Sequence, residues 1–307
     1  MTLAVLLSGQ GGQHPGMFDL TADLPAAQHV FTAAEGVLGA DPRELVRAAG
    51  PTLHDNRTGQ ILCCVAALAG WAIVEAARPA RVIVAGYSIG DLAAWGCAGR
   101  LGAEAVLRLA AARAEAMDEA SGEGFGLAGI RGLGLADIRV MAEKHDCFLA
   151  IRNAADSAVV GGASRALDAL CKEARAAGAQ RAVMLPVRTP SHTPLLEVAS
   201  RRFEDALARE GLRHPPPGAP RLISGLDGAP VFDMRAGLHK LALQISRTID
   251  WAACLEACRE YGAQTVLELG PGHALTTMAR DAIPEARVHA LEEFRSADGA
   301  ADWIRHS

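Results

Sequence analysis

ARVIVAGYSIGDLAAWGCAG, Ala80 to Gly99, is the stretch on which the reading of the fold turns. Arg81 to Ala85 is a β-branched run bounded by Pro79 and Gly86, which predicts a buried strand. Ile89 to Ala98 reads as a helix. Between them lies Gly86-x-Ser88-x-Gly90, a G-x-S-x-G string in the strand–turn–helix setting that a nucleophile elbow requires. A strand that reverses into a helix within one residue crowds its neighbours, so a side chain at either glycine would clash. The first amides of the helix then point toward the serine oxygen. A purely structural turn is the alternative, and the context favours the nucleophile.

Outward from the elbow, Leu3 to Leu7 is a short apolar run ended by SGQGGQ, a strand entering a glycine-rich turn. Helices are expected near Ala26 to Leu38, Pro42 to Ala48, Thr58 to Ala77 and Ala103 to Glu119. Strand, helices, strand, helix is the order of an α/β fold with a largely parallel sheet. The middle differs. Strands at Gly124 to Ile130, Cys147 to Arg152, Ser157 to Gly161 and Gln180 to Pro186 alternate with helices at Leu135 to Lys144 and Ser164 to Ala177. That is βαββαβ in roughly 65 residues, the pattern of a ferredoxin-like unit. It predicts an inserted subdomain over 124–189 within a larger domain made of 1–123 and 190–307. Beyond it, a helix at Leu195 to Glu210, a strand at Arg221 to Ser224 and helices at Leu238 to Gln244 and Ala252 to Tyr261 are expected. A strand at Thr265 to Glu268 then turns through GPGH into a helix at Leu275 to Asp281.

Half of the 307 residues are apolar and 21% are charged, which excludes wholesale disorder. A net charge of −5 lacks the basic face that nucleic-acid binding needs. The longest apolar run, Ile61 to Val74, is too short to span a bilayer and ends at Glu75 and Arg78, so it reads as a buried helix and no membrane span is expected. MTLAVLLSGQGGQ lacks the basic start and the length of a signal peptide. The seven cysteines form no CxxC pair and the ten histidines no HxxxH or HxH pair. Reduced thiols in a cytoplasm and no metal are therefore expected.

A serine hydroxyl is a poor nucleophile and needs a base. His192, in RTPSHTP, sits in a proline-bracketed segment after a strand, where loops present function; on these residues alone it is equally a plain loop histidine. SGQGGQHPGM lacks the lysine of a phosphate loop, and its glycines fit no GxGxxG. Its better use is to bring a backbone N–H near Gln10 opposite that of Ile89, two donors for an oxyanion. Arg113, in LAAARAEAM, reads first as a surface arginine paired with Glu115 or Asp118. Yet it stands among small residues, unusual packing for an outward arginine.

Read together, these segments resemble the malonyl-CoA:acyl-carrier-protein transacylases and the acyltransferase domains of polyketide and fatty-acid synthases. The likeness is collinear over nearly the whole chain: GQGGQHPGM, GYSIGDLAAWGCAG, an arginine 25 residues after the serine, LPVRTPSH, QISRTIDW and LELGPGHAL. The resemblance implies an α/β-hydrolase-like large domain carrying a ferredoxin-like insertion. It implies Ser88 as the acylated nucleophile and His192 as its base and later its acid. Gln10 and Ile89 would offer backbone N–H groups to the oxyanion, and Arg113 would clamp the free malonyl carboxylate. No covalently bound cofactor is implied: malonyl-CoA is the donor and the phosphopantetheine-type thiol of an acyl carrier protein the acceptor.

Three positions depart from the family. Its usual elbow is G-H-S-x-G-E, whereas Tyr87 replaces the histidine here and Asp91 the glutamate. Asp250 stands before Trp251 where the family has a glutamine, a residue expected to support the histidine largely through its main-chain carbonyl. A carboxylate there would alternatively complete a Ser-His-Asp set. The G-Y-S-x-G-[DE] elbow looks most like the transacylase subunit of bacterial malonate decarboxylase. That subunit charges a small carrier bearing a phosphoribosyl-dephospho-CoA thiol, which would make other decarboxylase subunits partners. A stand-alone transacylase of fatty-acid or polyketide synthesis is the alternative. From other classes, a serine esterase or thioesterase shares the elbow but has no use for a carboxylate-binding arginine. A non-catalytic carrier-docking subunit has no need of Ser88, His192 and Arg113 together. An acidic carrier would require a local basic patch, with Arg152, Arg181, Arg188, Arg201 and Arg202 as candidates.

Overall fold

Apolar runs without polar alternation, such as TLAVLL and RVIVAG, suit strands buried on both faces, and parallel sheets covered by helices provide that setting. The computed structural model, which describes residues 1–306, has this arrangement. Its strands are β1 (Thr2–Leu7), β2 (Arg81–Gly86), β3 (Phe125–Arg131), β4 (Phe148–Ala154), β5 (Ser157–Ala163), β6 (Arg181–Met184), β7 (Arg221–Ile223), β8 (Ile249–Asp250), β9 (Thr265–Leu269) and β10 (Arg287–Ala290). One sheet has the order β10-β9-β1-β2-β7 and is parallel throughout. Along β1 the pleat sends Leu3, Val5 and Leu7 into one core and Ala4 and Leu6 into another. The first core includes the helix Asn56–Ala77, the second Trp251 and Leu275. The helix extends beyond Ile61–Val74 at both ends and is 22 residues long. It is long and apolar enough to cross a membrane, yet most of it is buried in the core.

The second sheet has the order β6-β3-β5-β4-β8. Its first four strands pair antiparallel with the fourth, first, third and second side by side, the arrangement of a split βαβ unit. Helices Leu135–Lys144 and Ser164–Ala176 cover one face of it with their own small core. From the other face Leu127, Ala150 and Val159 join the core beneath the large sheet.

Two strands and one α-helix escape the sequence reading: β8, β10 and the helix Ala297–Arg305. β8 is a two-residue strand that pairs parallel with β4, so the small sheet takes its edge from residues outside 124–189. β10 is a four-residue edge strand with Arg287 and His289 in it, too short and polar to give a periodic signal. The last helix opens on a cap, where the Ser296 side chain accepts from the Gly299 amide, and it buries Ala300, Ala301 and Ile304.

Candidate active site

In a parallel sheet, ligands settle outside the carboxyl ends of the strands, where neighbouring connections diverge. Here β1 and β2 end side by side and run into the Gly9–Gln10 turn and the Ser88 elbow. Ser88 has φ 56 and ψ −119, strained backbone for a residue with a side chain. The two flanking glycines make the turn possible. A Cβ on Gly86 would lie 2.1 Å from the Asp91 nitrogen, and one on Gly90 would lie 2.1 Å from the Leu7 carbonyl oxygen. The helix Ile89–Cys97 then starts directly at the serine.

His192 is the second strained residue of the site, with φ 64. Its own amide donates to the Ile245 carbonyl at 2.8 Å, which holds the loop in place. The imidazole Nε2 lies 2.9 Å from Ser88 Oγ, and Nδ1 contacts the main-chain carbonyl of Gln244. A carbonyl only accepts, so Nδ1 carries the proton and Nε2 is left to take the serine's. His192 is 2% exposed. Burial first, and the Arg113 charge second, push its pKa down to about 3, keeping the ring neutral at physiological pH.

The histidine's support therefore comes from Gln244, not from Asp250. Pairing of β8 with β4 draws Asp250 onto the small sheet, where its carboxylate meets Arg152 at 2.8 Å and accepts from the Ala253 amide at 3.0 Å. Asp250 is a helix cap and an ion-pair partner, and no Ser-His-Asp set forms.

Arg113 is 1% exposed and makes neither surface pair that its sequence neighbours suggest. Glu115 pairs instead with Arg57, and Asp118 accepts from Asn56. The Arg113 guanidinium donates to Gln60 Oε1 at 2.6 Å and to Ser88 Oγ at 3.4 Å. Burial lowers its pKa to about 10, so it stays charged at neutral pH. Gln60, fully buried in the apolar helix, passes the contact on to Asn56 at 2.8 Å. The Gln10 turn lies against the elbow, since a Cβ on Gly9 would be 3.7 Å from the Ser88 Cβ. Neither the Gln10 nor the Ile89 amide donates to a protein acceptor among the described residues. Ser88 and Gln10 are both partly exposed. Nucleophile, neutral base, two free amides and a buried cation thus converge, the parts needed to move an acyl group bearing an anionic end.

Residues 5–297 match the family model of the acyl transferase domain. The chain belongs to this acyl transferase family. It is similar to the malonyl CoA-acyl carrier protein transacylase of Salmonella typhimurium (strain LT2), at 29% identity over 94% of this chain and 96% of that one. Among solved structures, the acyl-carrier-protein S-malonyltransferase of Burkholderia pseudomallei 1710b superposes with a TM-score of 0.91 at 28% identity, over 98% of this chain and 100% of the other. The malonyl-transacylase solved in complex with a type II PKS acyl-carrier protein gives 0.91 at 26% identity, over 98% and 99%. As in these acyltransferase structures, the fold is α/β with a parallel sheet and covering helices.

Sequence reasoning missed Gln60, Gln244 and Asn153. The signal for Gln60 was a lone amide inside GQILCCVAALAG, since buried amides need partners. Asn153 Oδ1 accepts from the Tyr87 hydroxyl at 3.2 Å, and the Tyr87 ring meets Trp251 edge-on at 5.3 Å. Tyr87 thus ties the elbow to β4 of the small sheet. Of the five arginines considered for carrier docking, Arg152, Arg201 and Arg202 are ion-paired with Asp250, Glu197 and Glu119. Arg181 and Arg188 form no salt bridge among the described residues. No cluster of three metal-ligating side chains occurs among the described residues.

Proposed function

We propose that this acyltransferase moves a malonyl group from malonyl-CoA to the thiol of an acyl carrier protein through a Ser88 ester. The observation that carries the reading is Arg113, a buried guanidinium within hydrogen-bonding reach of the Ser88 oxygen. A cation is costly to bury, and a carboxylated acyl group is the substrate that would neutralise it. Ser88 Oγ attacks the thioester carbonyl while its proton passes to His192 Nε2. The Gln10 and Ile89 amides receive the oxyanion. Collapse breaks the carbon–sulfur bond, and His192 returns the proton to the departing CoA thiolate. The carrier thiol then attacks the ester with His192 as base, and Ser88 leaves with its proton restored. All seven cysteines are buried and unpaired, which suits reaction in a reducing cytoplasm.

For the acceptor, the similar proteins favour the free-standing transacylase, since malonyl CoA-acyl carrier protein transacylase is their recurring name. The malonate decarboxylase reading, with that enzyme's other subunits as partners, is supported by Tyr87 and Asp91 in the elbow alone. The test offers malonyl-CoA with two carriers, one bearing 4′-phosphopantetheine and one bearing the phosphoribosyl-dephospho-CoA thiol. Faster malonylation of the first supports the free-standing enzyme, and faster malonylation of the second supports the decarboxylase subunit. Charging of neither carrier overturns the function.

A further inference from the structure

Behind His192 lies a pair of side chains that acyl transfer itself does not use. Asp91, in the first turn of the elbow helix, is 1% exposed, and Gln244 is fully buried. Asp91 Oδ2 accepts from Gln244 Nε2 at 2.9 Å and from the Gly225 amide at 3.0 Å. The remaining oxygens of the pair, Asp91 Oδ1 and Gln244 Oε1, are both buried without a hydrogen-bond partner among the described residues. Two orphaned acceptors on adjoining side chains are costly, and a single proton resolves both. A carboxylic acid donates its O–H to an amide oxygen while the amide N–H donates to the acid's other oxygen.

The charged and titratable groups around Asp91 do not supply that donor. Arg113, from the helix Ala103–Ala120, spends its hydrogen bonds on Gln60 and Ser88. Asp227 is a second negative charge nearby, and Cys254 turns its thiol toward backbone carbonyls. His192 donates to the Gln244 backbone, not to its side chain. Burial is the largest influence on the Asp91 carboxyl and pushes its pKa up to about 7.

We propose that Asp91 is a positioning residue for His192, held as a neutral carboxylic acid paired with the Gln244 side-chain amide. The proposal rests on the Ser88–His192 reading above. Gln244 is the residue whose main-chain carbonyl fixes the imidazole, and Asp91 shares its helix with the Ser88 elbow. The pair therefore ties the base to the nucleophile from behind. Loss of the Asp91 proton sets two acceptor oxygens against each other, loosens Gln244 and slows acylation. Activity is expected to fall as pH rises through the Asp91 titration. Stability follows the same sign: the native carboxyl holds its proton above the unfolded value of 3.8, so this group's contribution is lost as pH rises toward about 7.

The rate of Ser88 malonylation is measured against pH for wild type, Asp91→Ala and Asp91→Asn. Asp91→Ala is expected to slow acylation on the order of tenfold or more, as a small displacement of a reacting group does. Asp91→Asn, which carries an N–H where the acid has its O–H and cannot ionise, should recover most of that loss and remove the alkaline decline. An Asp91→Asn variant as slow as Asp91→Ala, or one with the wild-type decline, would overturn the proposal. A second readout needs no turnover: the carbon-13 resonance of the Asp91 carboxyl in the Ser88→Ala protein. It should report a protonated acid that titrates near neutrality, whereas a carboxyl already ionised at about pH 5 contradicts the proposal. A protonated Asp91 in a protein that transfers no malonyl group would instead count against the function.

Discussion

At the scale of single residues, the site depends on side chains held neutral or charged by what surrounds them. Arg113 keeps its charge in a buried position by giving hydrogens to Gln60 and Ser88, leaving room in its donor set for a substrate carboxylate. Gln60→Leu removes the anchor without opening a large cavity. It should raise KM for malonyl-CoA about tenfold, the loss of one hydrogen bond to a charged group, and narrow the preference for malonyl over acetyl. Steady-state kinetics with both thioesters test this, and an unchanged preference would show that Gln60 does not orient Arg113. At this scale Ser88, His192 and Arg113 were legible because the proposed chemistry falls on their side chains. Gln244 was not, because it holds His192 through a backbone carbonyl that every residue possesses. Asp250 looked right for the same reason, as nothing in the side chain distinguishes which carbonyl of QISRTID faces the ring.

At the scale of elements, the elbow joins β1, β2 and the helix Ile89–Cys97 so closely that only glycine fits between them. Gly90→Ala would push a methyl group to 2.1 Å from the Leu7 carbonyl oxygen, forcing strand and helix apart. The expected cost is about 3 kcal/mol or more by chemical denaturation. Gly36→Ala is the contrast, because it lies in the exposed part of a helix with nothing within 4 Å of the added carbon. It should gain about 0.5–1 kcal/mol from helix propensity. Equal effects of the two changes would mean that the elbow is not sterically closed. The long elements were legible because hydrophobic period and glycine punctuation agree along them. β8 escaped because a two-residue strand has no period, and its pairing with β4 is decided only when the small sheet packs beneath the large one.

At the scale of the whole molecule, two sheets share a core, and the site opens where the turns after β1 and β2 meet the His192 loop. The βαββαβ order of the small sheet was readable from the alternation of elements, whereas its fifth strand comes from distant sequence. Tyr87 and Arg152 bridge the two parts, through Asn153 on one side and Asp250 on the other. The central claim is that this assembly loads a carboxylated acyl group onto Ser88 because Arg113 waits beside it. Intact-mass analysis after mixing with malonyl-CoA or acetyl-CoA tests it most directly. The account predicts a single malonyl adduct on the wild type, none on Ser88→Ala, a weak one on Arg113→Ala and little acetyl adduct on any of them. Acetylation of Ser88 as complete as its malonylation would contradict it.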